Sequence, residues 1–142
     1  MTAEDNKVIG QRLIEEVLNK GDVAGIDKFF AANYVDHTPA PGTPATLEGF
    51  KAGFAGLQAA FPDLHYKIDL DLAEGDRLVH YLTGQGTMKG EFAGMPATGK
   101  MGTWHEVHIG RLEGGKFVEH WAIVDQMGMM VSLGLMPAPA QA

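Results

Sequence analysis

The sequence of 142 residues predicts a single α+β domain, in which helices come first and a mostly antiparallel sheet follows. Two observations predict this fold class. Apolar residues recur at helical spacing up to Phe61, and after Pro62 they alternate with polar residues as they do in strands. No linker or internal repeat divides the chain. Residues 1–136 are therefore expected to form one domain, and the Pro- and Ala-rich residues 137–142 a disordered tail.

The N-terminal half carries the features of three helices. Gly21 stands where the first helix would end, and Asp22 can cap a short second helix directly after it. Thr46 is the expected N-cap of the third helix, whose apolar stripe includes Phe54. An extended segment, residues 33–37, and a proline-rich loop are expected between the second and third helices. The helices should then cover one face of the sheet.

The C-terminal half is expected to supply the strands. From Leu64 to Leu72, alternation predicts a strand with Tyr66, Leu70 and Leu72 on its apolar face and Asp71 on its solvated face. Further elements are predicted as strands at residues 77–83, 101–112 and 116–124 and as a last short helix at 127–135.

The overall composition narrows the class of protein. The net charge is −7 and the eleven Lys and Arg residues are scattered singly, which argues against a nucleic-acid partner. No apolar run reaches the roughly 18 residues of a membrane span, and the acidic first residues do not resemble a signal peptide. The absence of cysteine excludes disulfides and thiolate metal sites. These features are typical of a cytoplasmic protein.

Four sequence motifs together resemble one known family. They are Tyr34-Val35-Asp36-His37, Phe61-Pro62-Asp63, the stretch from Gly90 to Lys100, and Glu119-His120-Trp121 followed by Asp125. They are similar to the SnoaL-like proteins, often labelled polyketide or ester cyclases, and the similarity runs from about the first helix to Leu135. The resemblance implies the cone fold of the ketosteroid isomerase and nuclear-transport-factor-two type. In that fold, N-terminal helices pack on a strongly curved, mostly antiparallel sheet around an apolar pocket.

The resemblance also implies a chemistry and a partner. The better-studied members close a ring by intramolecular aldol condensation with no metal or organic cofactor, so no cofactor is expected here. Their acid is an aspartate two residues after the histidine that matches His120, and this sequence has Ala122 at that position. Because alanine cannot transfer a proton, the usual mechanism does not carry over unchanged. Such cone folds often present the outer sheet face to a twin, so a homodimer or higher homo-oligomer is expected.

Two histidines are the first candidates for proton transfer. His120 and His108 match pocket histidines of the family, and a histidine can act as acid or base near neutral pH. A two-residue loop at Gly114-Gly115 would put them on opposite faces of their hairpin. A three-residue loop of Glu113, Gly114 and Gly115 would set them opposite each other on one face. We expect the three-residue loop.

Neighbouring positions on the same strands supply further candidates. Glu106 would be the only carboxylate on the pocket face of its strand, where burial would raise its pKa and make it a usable base. Alternatively, it forms an ion pair with a histidine or with Arg77. Trp104 shares its face and offers a large apolar wall with one N–H donor. Ala122 is counted with the substrate-binding candidates of the next strand.

The remaining binding candidates lie elsewhere in the chain. Asp36 and His37 end the extended segment, and one of them is expected to reach the pocket mouth. The alternative is that Asp36 caps a turn and His37 is solvated. Tyr81 is preferred to His80 as a pocket hydroxyl, since neighbouring strand residues point to opposite faces. Phe54 is the candidate contributed by the third helix.

The leading hypothesis is a cofactor-free acid–base enzyme acting on a small hydrophobic carbonyl compound. Aldol-type cyclisation, isomerisation and dehydration share the same enolate step, with His120 or His108 as the proton carrier. One alternative, favoured by Ala122, is a non-catalytic module that binds a hydrophobic ligand. A lower alternative is an epoxide hydrolase, although no arginine has an evident carboxylate partner. No His-x-His or His-x₃-His pair occurs, so a zinc site is not expected.

Overall fold

The computed structural model describes residues 1–138 and confirms the predicted α+β class. The helices are α1 (Ala3–Arg12), α2 (Leu47–Ala60) and α3 (Gln126–Ser132). A π-helical turn (Leu13–Val17) and two 3₁₀ segments (Leu18–Lys20 and Val23–Lys28) continue from α1. The strands are β1 (Phe30–Asp36), β2 (His65–Glu74), β3 (Arg77–Thr87), β4 (Met101–Glu113) and β5 (Lys116–Val124).

The five strands form one open sheet in the order β1-β5-β4-β3-β2. β1 runs parallel to β5, and the other neighbours are antiparallel. Of the expected disordered tail, residues 139–142 lie outside the described part of the chain, and residues 137–138 have no regular structure. Within residues 1–138, no helix is long and apolar enough to cross a membrane.

The helix ends lie where the sequence predicts them. Asp22 and Thr46 each accept a hydrogen bond from the backbone amide three residues later, as N-caps do. Gly21 ends the first helical run in the left-handed conformation, with a φ of 65°. These features could be predicted because each depends only on residues within one turn of the chain.

A β-bulge reverses the faces of the second half of β2. The pairing of β2 with β3 shifts by one residue between Ile68 and Leu70, which makes Asp69 the extra residue. Leu70 and Leu72 therefore point outward, with 62% and 64% of their surface exposed, and Asp71 points inward. The prediction of an apolar face through Leu72 was wrong, because alternation assumes an unbroken ladder.

The hairpin between β4 and β5 has a two-residue loop, so the expected three-residue loop was wrong. Glu113 pairs with Lys116 across Gly114 and Gly115. Both glycines have positive φ values, 57° and 81°, which the tightest hairpin turns require. The local preference of a Gly-Gly pair for this turn therefore prevails.

A second bulge, just after the hairpin, restores the facing of the two histidines. The register of β4 with β5 shifts by one residue between Arg111 and Leu112, and Val118 is the extra residue. Because each extra residue turns all later side chains to the other face, the bulge cancels the effect of the short loop. His108 and His120 consequently lie on the same, inner face of the sheet.

The inner face of the sheet and the helices enclose the apolar core. Trp104 and Phe61 are among its largest fully buried side chains. Trp104 lies against Gly84, where a Cβ atom would stand 2.7 Å from the indole nitrogen. Phe61 packs edge-on against Phe92, with ring centroids 5.3 Å apart, so the Gly-rich segment between β3 and β4 covers this end of the core.

Gly10 allows α1 to lie directly on β3. A methyl group at this position would meet the side chains of Leu78 and His80, the ring of His80 at 2.8 Å. Gly10→Ala is therefore expected to lower the free energy of unfolding by about 1–3 kcal/mol, because overpacking outweighs the better helix propensity of alanine. Urea denaturation measures this change.

Gly56→Ala in α2 is the matched control. A Cβ atom at Gly56 would meet nothing within 4 Å, so alanine is expected to raise stability by up to about 1 kcal/mol. A Gly10→Ala protein as stable as the Gly56→Ala protein would show that α1 does not press on β3.

Candidate active site

Four polar side chains on the inner face form one hydrogen-bonded chain, here named the network: Asp36, His120, His108 and Glu106. His108 contacts Glu106 through Nε2, 2.6 Å from Oε1, and His120 through Nδ1, 2.8 Å from its Nε2. His120 then contacts Asp36 through its own Nδ1, 3.2 Å from Oδ1. The two imidazole rings thus connect the carboxylate of Glu106 to that of Asp36.

Strand geometry explains why these four side chains meet. Glu106 and His108 are two residues apart on β4 and therefore share a face. His120 joins them from β5 because of the bulge at Val118. Asp36 is the last residue of β1 and is the parallel-ladder partner of His120.

The carboxylates are the buried ends of the network and the imidazoles its more accessible middle. The side chains of Asp36 and Glu106 are 5% and 6% exposed, whereas those of His120 and His108 are 14% and 28% exposed. A small molecule that reaches the inner face would therefore meet the rings before the carboxylates.

Glu106 is held as a carboxylate despite its burial. Burial alone would raise its pKa, but hydrogen bonds from His108 and from the Trp104 indole, 2.7 Å away, together with the Tyr66 side chain, hold the pKa below its usual value. The predicted rise in the pKa of Glu106 was therefore wrong. The ion pair with a histidine, considered as its alternative, is the arrangement present.

Asp36 is ionised for a similar reason. Burial opposes its charge, but the hydrogen bond and charge of His120 and the backbone amide of Thr38 together lower the pKa of Asp36. The buried Tyr34 hydroxyl lies nearby, and burial and the charge of Asp36 raise the pKa of that phenol. Tyr34 therefore stays protonated beside the carboxylate.

The number of hydrogens needed for the three contacts determines the protonation state of the network. Each contact between two ring nitrogens, or between a ring nitrogen and a carboxylate, needs one hydrogen. Two neutral imidazoles supply only one N–H each. Since the pKa values of both carboxyl groups are lowered, the third proton belongs to the rings. The fully bonded network therefore holds one imidazolium between two carboxylates.

That additional proton is easily released. Burial lowers the pKa of His120, and the charge of nearby His108 acts in the same direction, while Asp36 opposes both. A histidine cation that is stabilised by a carboxylate but penalised by burial is suited to give up its proton to a substrate.

The other predicted site residues divide between the two faces. Trp104 and Phe54 are buried in the core, and Trp104 donates to a network carboxylate. Ala122 is the ladder partner of His108 and lies on the inner face. Tyr81 instead stacks on the exposed ring of His105 on the outer face, so its prediction as a pocket hydroxyl was wrong.

His80 takes the inner position that had been assigned to Tyr81. It is buried, is the ladder partner of His108, and lies 3.3 Å from a carboxylate oxygen of Asp71. Burial lowers the pKa of His80, and Asp71 opposes this effect. The prediction failed because a tyrosine is the commoner pocket donor, whereas strand parity decides which of two neighbours points inward.

Two contacts of the network were not predicted from the sequence. Tyr66 and Thr38 flank Glu106 and Asp36, respectively, and His37 points away from the network towards Glu119. Tyr66 had been placed on the apolar face of its strand, but nothing in the sequence indicated its neighbour. Of the two residues of which one was expected to reach the pocket mouth, Asp36 joins the network and His37 does not.

Two surface clefts lie away from the network. One, of about 410 Å³, is bordered by α1, the segment after it and the Gly114-Gly115 turn. The other, of about 290 Å³, is bordered by the outer surfaces of β1, β4 and β5. Neither is lined by a network residue, so the clefts do not mark the candidate site.

Comparison with known proteins places the chain in a family. The model of the SnoaL-like polyketide cyclases matches residues 9–133, which include the whole network. The chain belongs to this family. A curated relative, the aklanonic acid methyl ester cyclase DnrD of Streptomyces peucetius, is 27% identical over 129 residues, or 87% of each chain.

Solved structures agree with this assignment. TsrD from Streptomyces laurentii has a TM-score of 0.85 and 25% identity, with 96% of this chain and 99% of that chain covered. IdmH from Streptomyces antibioticus, a proposed polyketide cyclase, has a TM-score of 0.80 and 30% identity, with 91% and 98% covered. AclR from Streptomyces galilaeus, a proposed hydroxylase, has a TM-score of 0.84 and 29% identity, with 96% and 100% covered. Because the last two are about equally similar, the reaction has to be inferred from the site.

Proposed function

We propose that this SnoaL-like protein is a cofactor-free acid–base enzyme that converts a small hydrophobic carbonyl compound by aldol-type cyclisation or a related isomerisation or dehydration. The observation that carries the proposal is the network, in which three contacts join two imidazoles to each other and to two buried carboxylates. Such a group can supply a proton to a developing alkoxide and take one from the carbon beside a carbonyl.

Aldol ring closure fits this network because the reaction needs no net proton. A proton leaves the carbon beside one carbonyl, the enolate carbon forms a bond to a second carbonyl carbon, and the new alkoxide is protonated. When the contact between the two rings opens, the unprotonated ring nitrogen it frees takes the proton from carbon, and the N–H of the other ring gives its proton to the alkoxide, so the network ends with as many protons as it began. The aspartate missing at Ala122 is then not required.

The substrate would lie between α2 and the sheet, against the accessible edges of the two rings. Phe50 of α2 stands edge-on to His120, with ring centroids 6.0 Å apart, and can form part of an apolar wall. Phe54 and Trp104 belong to the core cluster on the same side of the sheet. An apolar compound held there would be shielded from water, which strengthens the charge effects of the network.

Incubation with aklanonic acid methyl ester, the ester in the name of the relative DnrD, tests the proposal. Chromatography with mass detection distinguishes the reactions, since dehydration gives a product that has lost a water, while the products of cyclisation and isomerisation keep the mass of the substrate and are separated by retention time. Binding without turnover would contradict the proposal and support the ligand-binding alternative. Turnover by the Ala122→Asp variant but not by the wild-type protein would show that the wild-type protein is inactive because it lacks this aspartate.

Epoxide hydrolysis receives less support from the positions of the arginines. Arg111 and Arg12 do have carboxylate partners, Glu119 and Glu16, contrary to the expectation from sequence. Both pairs are nevertheless outside the network. Arg77 lies over an outer-face tryptophan ring. The convergence of arginine and carboxylates that would activate water for epoxide opening is therefore not formed by these residues.

We further propose that a second copy of the chain covers the outer face of the sheet. Leu70, Leu72 and Ile123 are exposed there. The same face carries both positive and negative side chains, including Arg111 and Glu119, so a two-fold arrangement can match opposite charges. These features support a homodimer whose interface lies on the side opposite the network.

Leu72→Glu is expected to convert such a dimer to a monomer, because each copy would bury a charged group in the interface. Light scattering after size-exclusion chromatography measures the mass. Val8→Glu replaces an exposed apolar residue of α1 and serves as the control. A wild-type monomer, or a dimer equally resistant to both substitutions, would contradict this interface.

A further inference from the structure

Asp36 has the least secure position of the four network residues. It is the last residue of β1, an edge strand whose register with β5 shifts before Val35 and Asp36 pair with Glu119 and His120. A loop containing three prolines follows directly. Strand pairing therefore holds Asp36 only on the side of β1 that faces β5.

His37 attaches this strand end to the outer face of β5. Its Nε2 lies 2.8 Å from Oε2 of Glu119, and its ring stacks on Trp121 with centroids 4.6 Å apart and planes 9° apart. Its backbone N–H donates to the His120 carbonyl at 2.9 Å. Hydrogen bonds from His37 and Arg111 hold the pKa of Glu119 below its usual value, so the acceptor is charged.

Thr38 connects the same segment to the inner side. Its backbone N–H donates to Oδ1 of Asp36 at 3.0 Å, and its hydroxyl accepts the backbone N–H of Ala122 at 2.8 Å. The residues before and after His120 thus bind the two residues after Asp36. We name His37 and Thr38 the clasp.

We propose that the clasp positions Asp36 on the Nδ1 atom of His120, so that His37 and Thr38 are positioning residues of the site although neither belongs to the network. The inference rests on the proposed acid–base function. Neighbouring residues of an extended segment point to opposite faces of the sheet. Asp36 therefore points inward to His120 of β5, while His37 points outward and binds the outer face of β5.

Release of the clasp has a predictable effect on His120. Asp36 opposes the lowering of the His120 pKa by burial, so a displaced Asp36 would let that pKa fall further. The ring would also lose the partner that fixes its orientation. A displacement of about 1 Å at a reacting group can cost about 10²-fold in rate, so a fall in kcat of about 10- to 100-fold with a nearly unchanged KM is expected.

Thr38→Val and Thr38→Ser form the decisive pair of variants. Valine has nearly the shape of threonine but leaves the Ala122 N–H without its acceptor and removes the hydrogen bond that the hydroxyl donates to Oδ1 of Asp36 at 3.4 Å, whereas serine keeps the hydroxyl. The pH titration of the ring signals in NMR spectra of ¹⁵N-labelled protein reports on His120 directly, and six histidines give few enough signals to assign. His37→Gln, which keeps a donor but loses the stacked ring, is a second route if Thr38→Val does not fold.

A fall in the His120 pKa in Thr38→Val, its recovery in Thr38→Ser, and no further change when Thr38→Val is added to Asp36→Asn would support the clasp. An unchanged His120 titration in both Thr38→Val and His37→Gln would overturn it, as would an equal shift in the Asp36→Asn background. Because the titration needs no substrate, the clasp can stand or fail independently of whether the ester is turned over.

Discussion

His120→Gln is expected to lower kcat/KM for the ester by about 10²–10⁴-fold, the usual contribution of a positioned acid–base group. His120 is the only link between Asp36 and His108 in the network, so its loss removes both the stored proton and the path for its transfer. Glutamine keeps a hydrogen-bonding group of similar length. Steady-state kinetics measure the change, and circular dichroism verifies the fold.

His65→Gln is the matched control for this substitution. His65 is exposed at the start of β2, away from the network, and its replacement should leave kcat/KM within about twofold. His108→Gln should resemble His120→Gln, and the double variant should be little worse than either alone, because groups that act as a unit are not additive. Full activity in His120→Gln would remove the network from the mechanism.

Glu106→Gln is expected to reduce the free energy of unfolding by about 1–3 kcal/mol, because it leaves a buried hydrogen-bond donor without an acceptor. Glu106 accepts from both His108 and Trp104, and it is the anionic end of the network. An amide of the same shape has only one oxygen, so one of the two donors would face an N–H₂ group. Urea denaturation at constant pH measures the loss.

Glu113→Gln provides the comparison for stability. Glu113 is a surface residue whose side chain is 62% exposed and pairs with Arg111. Exposed pairs of this kind contribute about 1 kcal/mol or less. If Glu106→Gln cost no more than Glu113→Gln, Glu106 would not be a buried, ionised hydrogen-bond acceptor.

The individual residues of the site were easier to predict than their connections. His108 and Glu106 follow from two-residue spacing on one strand, and His120 and Asp36 follow from their motifs. The pKa of Glu106 was predicted in the wrong direction. Burial could be predicted from alternation along β4, but the donors that reverse its effect come partly from β2, which is distant in sequence.

The position of His37 shows the same limit. The sequence placed it beside Asp36 and allowed either residue to reach the site. The structure directs Asp36 inward and His37 to Glu119 and Trp121, because the parallel pairing of β1 with β5 determines which side of the strand faces the core.

The sequence by itself determined the α+β class, the helix caps at Asp22 and Thr46, the helix end at Gly21 and the presence of four strands after Pro62. All of these depend on contacts within a few residues or on a regular period. Only the tertiary structure decided which face each side chain occupies. The bulges at Asp69 and Val118 turned Leu70 and Leu72 outward and brought His108 and His120 together. A bulge is selected by the pairing of whole strands, and a shift of one residue moves every later side chain to the opposite face.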